Sequence, residues 1–202
     1  MKKFAGFLSM SVLAFTVVGC SDTTSPAAPS ASASVTEEAR GGMPSENSRA
    51  AQPSITEIAA GDSRFTVLVY ALGKAGLVET FDGSRQFTVF APTNAAFGAA
   101  AAAYGLGSGE ALVDFLEENG LLAQVLTYHV AVGDRRAQAV LSSGQVIMLD
   151  GNPAAVTVDG EGPKIDGAII EATDIIARNG IVHVLGGVML PPGFPPPAGS
   201  GE

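Results

Sequence analysis

The chain has one cysteine and two histidines in 202 residues. Cys20 therefore cannot close an intramolecular disulfide. His129 and His183 are the only imidazoles, and there is no HxxxH, no HExxH and no cysteine pair, so a zinc site has too few ligands. No GxSxG elbow is present to present a nucleophilic serine. The glycine-rich run Gly105–Gly109, with Ser108 inside it, lacks the lysine of a phosphate-binding loop and follows a helical stretch rather than a strand. It reads as a connector. Glu117 and Glu118 are neighbours on a helix and do not face each other, so they read as a solvated helix end. These absences leave no catalytic constellation, no metal and no cofactor to expect. Positive charge is also scarce: 11 Lys and Arg stand against 20 Asp and Glu, a formal charge of −9. Residues 1–19 carry Lys2 and Lys3 and no acid, so without them the charge is −11. Such a chain is poorly matched to nucleic acid or to an anionic bilayer surface. Its acids are spread along the sequence, as on a solvated surface.

Long hydrophobic runs are missing too. Phe4–Val18 is uncharged and mostly apolar, but its 15 residues fall short of the roughly 20 that span a bilayer. With Lys2 and Lys3 before it, the segment 1–19 has the form of a secretory signal. It ends in Val17-Val18-Gly19-Cys20, which resembles the cleavage box of bacterial lipoproteins, where the cysteine becomes an acylated N-terminus. An ordinary signal peptide or a short anchor is the alternative. Several acyl chains, at about 0.8 kcal/mol per buried methylene, would hold a protein firmly at a membrane. Ser21 after the cysteine resembles an outer-membrane sorting signal if the envelope is Gram-negative. Residues 20–53 are rich in Ser, Ala, Pro, Thr and Gly and nearly devoid of large apolar side chains, the composition of a disordered tether. As a flexible coil it reaches about 30 Å.

Residues 54–191 have the length of one domain, with 192–202 as a flexible C-terminal tail. The domain is organised around Gln86–Phe97. Phe87, Val89 and Ala91 alternate with Thr88 and Phe90, and large residues on both sides indicate a strand buried on two faces. Pro92 ends it. Thr93 then stands as the N-cap of a helix beginning Asn94-Ala95-Ala96-Phe97. Upstream, Ser54 and Glu57 have capping-box spacing. Phe65, Leu68, Val69 and Leu72 form one apolar helical stripe, Gly76 stops it, and Leu77–Phe81 reads as a short apolar turn. Downstream, a helix over Glu110–Glu118 ends at Asn119-Gly120, and Leu122, Val125, Leu126 and His129 share a helical face. The remainder reads as strands over 138–141, 145–149, 154–158, 163–166, 168–172 and 175–190, with Asn179-Gly180 as a hairpin cue. Helices first and strands later indicate an α+β domain.

Three segments resemble the motifs of the fasciclin domain. Thr88–Phe97 differs from the family form TVFAPTNEAF only at Ala95. Tyr128-His129 in LTYHV resembles its tyrosine–histidine motif. NGIVHVLGGVMLP, residues 179–191, resembles its second block, with Gly186 where an aspartate is usual. The resemblance covers 54–191 and implies a β-wedge with helices packed alongside. It also implies an adhesion or matrix-binding role in the cell envelope, through a matrix polysaccharide or a cell-surface protein. Some algal members bind carotenoids, so a carrier of an apolar, carotenoid- or lipid-like molecule in a surface groove is the alternative; Met148, Met189 and the alanine-rich helix would suit the lining of such a groove and suit a core equally well.

His129 and His183 are expected to be buried, hydrogen-bonded core histidines. Thr93, Asn94, Phe97, Tyr128, Asn179 and Gly180 are expected to be structural motif positions. Asp174-Ile175 resembles a pair linked to receptor binding in animal members and is the candidate partner-binding site. Strand alternation would point the two side chains opposite ways, with Ile175 inward and Asp174 near a strand end. The alternative for Asp174 is that it closes a turn or caps a neighbour.

Overall fold

A computed structural model describes residues 49–194. The signal segment, Cys20, most of the tether and residues 195–202 lie outside the described residues. The chain runs through α1 (Ile55–Gly61), a 3-10 turn (Ser63–Phe65), α2 (Thr66–Lys74) and α3 (Val78–Asp82) into β1 (Phe87–Pro92). Then come α4 (Asn94–Ala103), α5 (Gly109–Glu118), α6 (Leu122–Tyr128), β2 (Val130–Val132) and α7 (Ala137–Ser143). The chain closes with β3 (Gln145–Ile147), β4 (Pro153–Asp159), β5 (Gly162–Ile165), β6 (Ala168–Ala177) and β7 (Gly180–Leu185).

The strands form one sheet in the order β2-β1-β7-β6-β5-β4-β3. Its centre is the parallel pair β1 and β7, with Phe87 opposite Gly180 and Pro92 opposite Leu185. Every residue of both strands is buried, as strands covered on two faces require. The far end of the sheet curls back on its start: Leu149 N–H donates to Val130 O at 2.6 Å, which nearly closes a barrel. Two cores result. Phe87, Val89 and Ala91 join the helices in the larger one. Phe90 points the other way, into the wedge with Tyr128, Met148, Ile165 and Met189. Each large side chain so buried is worth roughly 1.5–3 kcal/mol. Thr88, on Phe90's face, is also fully buried. Its hydroxyl donates to Gly133 O and accepts from Arg135 N–H, both at 2.8 Å.

Local signals set the helix starts. Ser54 and Glu57 make the reciprocal capping box at 3.1 and 2.7 Å. Thr93 Oγ1 accepts from Ala96 N–H, and Ser108 Oγ from Ala111 N–H. Gly109 lets α5 press on α4, because a Cβ there would lie 2.9 Å from the Cβ of Phe97.

Several sequence expectations need correction. Leu77–Phe81 is not a turn: from Val78 it is helix α3, which buries Phe81. Residues 138–141 are not a strand but the middle of α7. Ala, Gln and Leu are good helix formers, and a short apolar run does not separate strand from helix by period alone. Strand β2 follows His129 directly and was not expected at all; three residues are too few to show a period. The extended stretch 175–190 divides at the turn before Gly180 and ends at Leu185. Of the two readings open for Met148 and Met189, groove lining or core, the structure has the core. The packed region also begins before Ser54. Arg49 donates from Nε to Ala177 O and from Nη2 to Gly180 O, each at 3.1 Å, and ion-pairs with Asp134. Composition could not flag this, because an arginine bound to backbone carbonyls adds no apolar signal. At the other end Phe194 sits edge-on to Tyr104, ring centroids 5.8 Å apart, so the first residues of the expected tail pack on the domain.

Candidate functional site

The motif side chains are stitched into the fold. Asn94 sits in the first turn of α4, where its Oδ1 accepts from Val67 N–H at 3.0 Å. That bond caps α2, which has no side-chain cap of its own. Its amide donates to Ser63 O and Thr66 Oγ1. Asn179 is buried in the β6–β7 turn, accepting from Ile55 N–H at 3.0 Å and donating to Phe81 O at 2.6 Å. One amide thus ties α1 and α3 to the sheet. Gly180 permits this turn to sit against β1, since a Cβ there would fall 1.9 Å from Phe87 O. Phe97 is buried in the helix-side core. Tyr128 lies in the wedge core with its hydroxyl donating to Asp166 Oδ2 at 3.2 Å, and burial raises the pKa of both groups.

The two histidines are 2% and 1% exposed. His129 Nδ1–H donates to Val125 O at 2.7 Å, and Nε2 accepts from Met189 N–H at 3.0 Å. His183 has the opposite tautomer: Nε2–H donates to Arg135 O at 2.9 Å, and Nδ1 accepts from Asp174 N–H at 3.2 Å. Each ring is neutral because only the neutral form offers one donor and one acceptor. Burial pushes His129 down to about 4, and lowers His183 as well. With both nitrogens engaged, neither ring is open to a ligand or a proton in flight. Among the described residues no group of three His, Cys, Asp or Glu could hold a metal.

Asp174 is not near a strand end. It lies inside β6, where the pairing with β7 slips between Ala172 and Ile175, and its φ is +60°. The bulge breaks the alternation that would have sent Asp174 and Ile175 opposite ways; both are half-buried. Ile175 packs against the helix-side core. Asp174 Oδ1 accepts from Ala137 N–H at 2.9 Å, supplying α7 with the cap that Arg136 does not provide. Its surroundings are those of the capping alternative. Gly186, the departure from the motif, faces Glu171: a Cβ at Gly186 would lie 2.6 Å from Glu171 Oε1. A carboxylate thus stands beside this backbone, supplied by β6. Sequence reasoning passed over Arg49, Thr88 and Glu171, whose partners are all remote in sequence.

The described residues also line two apolar hollows. An internal cavity between α1, α2, α3 and the sheet holds about 20 Å³, room for a water-sized group. A surface groove of about 240 Å³ is lined by Ala60, Val69, Leu72 and Val78, with Thr56 and Glu57 at its rim. Among the described residues no helix is long and apolar enough to cross a membrane.

The fasciclin domain model matches residues 63–191. The Synechocystis protein sll1483 is 40% identical over 139 residues, which cover 69% of this chain and 74% of that protein. The immunogenic protein MPB70 of Mycobacterium bovis is 32% identical over 147 residues, 70% of each chain. Among solved structures, the domain pair of the insect cell adhesion molecule fasciclin I superposes with a TM-score of 0.58 at 16% identity. The match covers 68% of this chain and about half (51%) of that one, a likeness of fold. By motif, by family model and by fold, this chain belongs to the fasciclin domain family.

Proposed function

We propose that the protein is a lipid-anchored component of the cell envelope that displays one non-catalytic fasciclin domain for adhesion to a matrix polysaccharide or a cell-surface protein. The observation that carries this reading is the engagement of the motif's polar side chains. Asn94, Asn179, His129 and His183 each have bonds to backbone on two sides. None is left to act on a substrate, so what the domain offers a partner is its surface. The solved structure of like fold comes from an insect cell adhesion molecule, which accords with the same reading. Acylation at Cys20 would place the domain at a membrane on the linking segment.

The test has two arms. Mass spectrometry of the N-terminal peptide from the native protein is expected to find acylated Cys20, and Cys20→Ser is expected to leave the chain unanchored or unprocessed; a variant with a normally acylated N-terminus would end the anchoring reading. Cells displaying the domain are expected to adhere to envelope or matrix material, and indifference to the domain would end the adhesion reading. The carrier reading keeps one favourable observation, the apolar groove between α1, α2 and α3, since the internal cavity cannot admit a carotenoid or a lipid chain. Its signature would be a co-purifying apolar molecule detected by colour or by mass spectrometry of an organic extract.

A further inference from the structure

The sequence is acidic throughout, but the fold does not spread its few cations evenly. Between residues 49 and 194 there are eight Lys and Arg: Arg49, Arg64, Lys74, Arg85, Arg135, Arg136, Lys164 and Arg178. The sheet register collects five of them at one end. Phe87, which opens β1, lies opposite Val132 at the end of β2 and opposite Gly180 at the start of β7. Ala177, at the end of β6, pairs with Gly180. Four strand ends therefore lie side by side. Their flanking segments carry Arg85 before β1, Arg135 and Arg136 after β2, and Arg178 between β6 and β7. Arg49 is bound to Ala177 O and Gly180 O at the same place.

Four carboxylates near these segments are already engaged. Asp134 pairs with Arg49, Asp82 pairs with Arg178 at 2.7 Å, and Asp174 is bound to Ala137 N–H. Glu57, on the flanking helix, is turned back onto Ser54 N–H. Arg85, Arg135 and Arg136 have no carboxylate partner among the described residues, and the Nε of Arg135 is buried without any hydrogen-bond partner. Arg85 is exposed and Arg136 half-exposed. All five are arginine, the side chain whose planar fork fits phosphate oxygens in pairs. This is also the end at which the preceding 48 residues join the domain.

We propose that this arginine pole docks on the anionic phosphate headgroups of the membrane to which the chain is tethered, so that the domain stands on this end of its sheet. The proposal rests on the anchoring reading for its geometry: 28 residues separate Cys20 from Arg49, which as a flexible coil would reach about 30 Å, and Arg49 belongs to the pole. Net charge does not forbid the contact. The Debye length is about 8 Å at physiological ionic strength, so acids farther than this from the membrane are screened while the pole arginines touch the surface. Docking limits the partner-binding surface to the outward face of the domain, away from Arg49, Arg136 and Arg178.

The test uses the processed chain, residues 20–202, carrying Cys20→Ser so that no acyl chain drives binding. It is sedimented with vesicles of phosphatidylcholine alone, or with about a third phosphatidylglycerol. Binding is expected on the anionic vesicles only, falling as salt is raised. Each arginine near such a surface is worth about a fivefold change in partition, so Arg85→Ala with Arg136→Ala is expected to lower it roughly 25-fold at an unchanged melting temperature. Neither side chain makes a fold-stitching bond. Equal partition to both vesicle types, no partition to anionic vesicles, or full binding by the double variant would each overturn the proposal. So would arginine-dependent retention on an acidic polysaccharide without vesicle binding, which would assign the pole to a matrix ligand. Detection of the Cys20 acyl group is a separate measurement, so a failure of docking and a failure of anchoring are told apart.

Discussion

Acid should unfold this domain partly through one imidazole. His129 is buried neutral, with its pKa pushed down by burial to about 4, whereas an unfolded chain protonates histidine near 6.5. The unfolded state therefore binds the extra proton first. The stability held by the neutral ring is fully present above about pH 6.5 and is lost progressively as pH falls towards 4. Linkage makes the loss negligible at pH 7 and roughly 2–3 kcal/mol at pH 4.5. Carboxylates held down by hydrogen bonds, Asp62 from Arg64, Asp114 and Asp159 from Lys74 and Lys164, and Asp82 chiefly from Ser54, also cost stability in acid, so the wild-type slope alone does not isolate the histidine. His129→Ala does. At pH 7 it should cost roughly 1–3 kcal/mol, from the cavity and from the orphaned Met189 N–H. Between pH 7 and 4.5 the variant should then lose about 2 kcal/mol less than the wild type. Urea denaturation of both chains at the two pH values measures this directly. Equal pH slopes would refute the reasoning, because they would mean that the ring gains no proton on unfolding.

Other perturbations test the stitching. Asp174→Ala removes the remote cap of α7 and places a less tolerant residue at positive φ, so thermal melting should register a loss of roughly 1–2 kcal/mol. Asp174→Asn should lose less, and an unchanged melt for the alanine variant would return Asp174 to the list of partner contacts. Gly180→Ala forces a Cβ to within 1.9 Å of Phe87 O; at such a strained close approach the loss should exceed about 4 kcal/mol, visible as absent soluble expression or a collapsed denaturation midpoint.

Much of the fold is legible in the sequence because it is decided over a few residues. The Ser54–Glu57 capping box, the Thr93 cap, the strand Phe87–Pro92 and the stop at Asn119-Gly120 depend on side chains meeting their own backbone within one turn, or on period-2 burial. The two histidines are legible for a related reason: each sits among apolar residues on one helical or strand face, and such a position is a core position. The fasciclin resemblance rests on motifs of this local kind. Tertiary structure alone decides what joins distant residues. The helix at Ala137 is capped from Asp174, 37 positions away, and no reading of Gln138–Leu141 contains that bond. Arg49 is fastened to Gly180 across 131 positions, so the start of the packed region is invisible in a stretch that composition marks as tether. The bulge at Asp174 depends on how β6 pairs with β7, and it is the bulge that turns a candidate contact into a cap. The arginine pole is of the same kind. Five arginines scattered over 130 residues meet only because register aligns four strand ends, while the charge summed along the sequence is negative. Sequence determines which groups the chain possesses and the local geometry each prefers; tertiary structure decides which of them face each other, because pairing across the sheet depends on register and not on proximity along the chain.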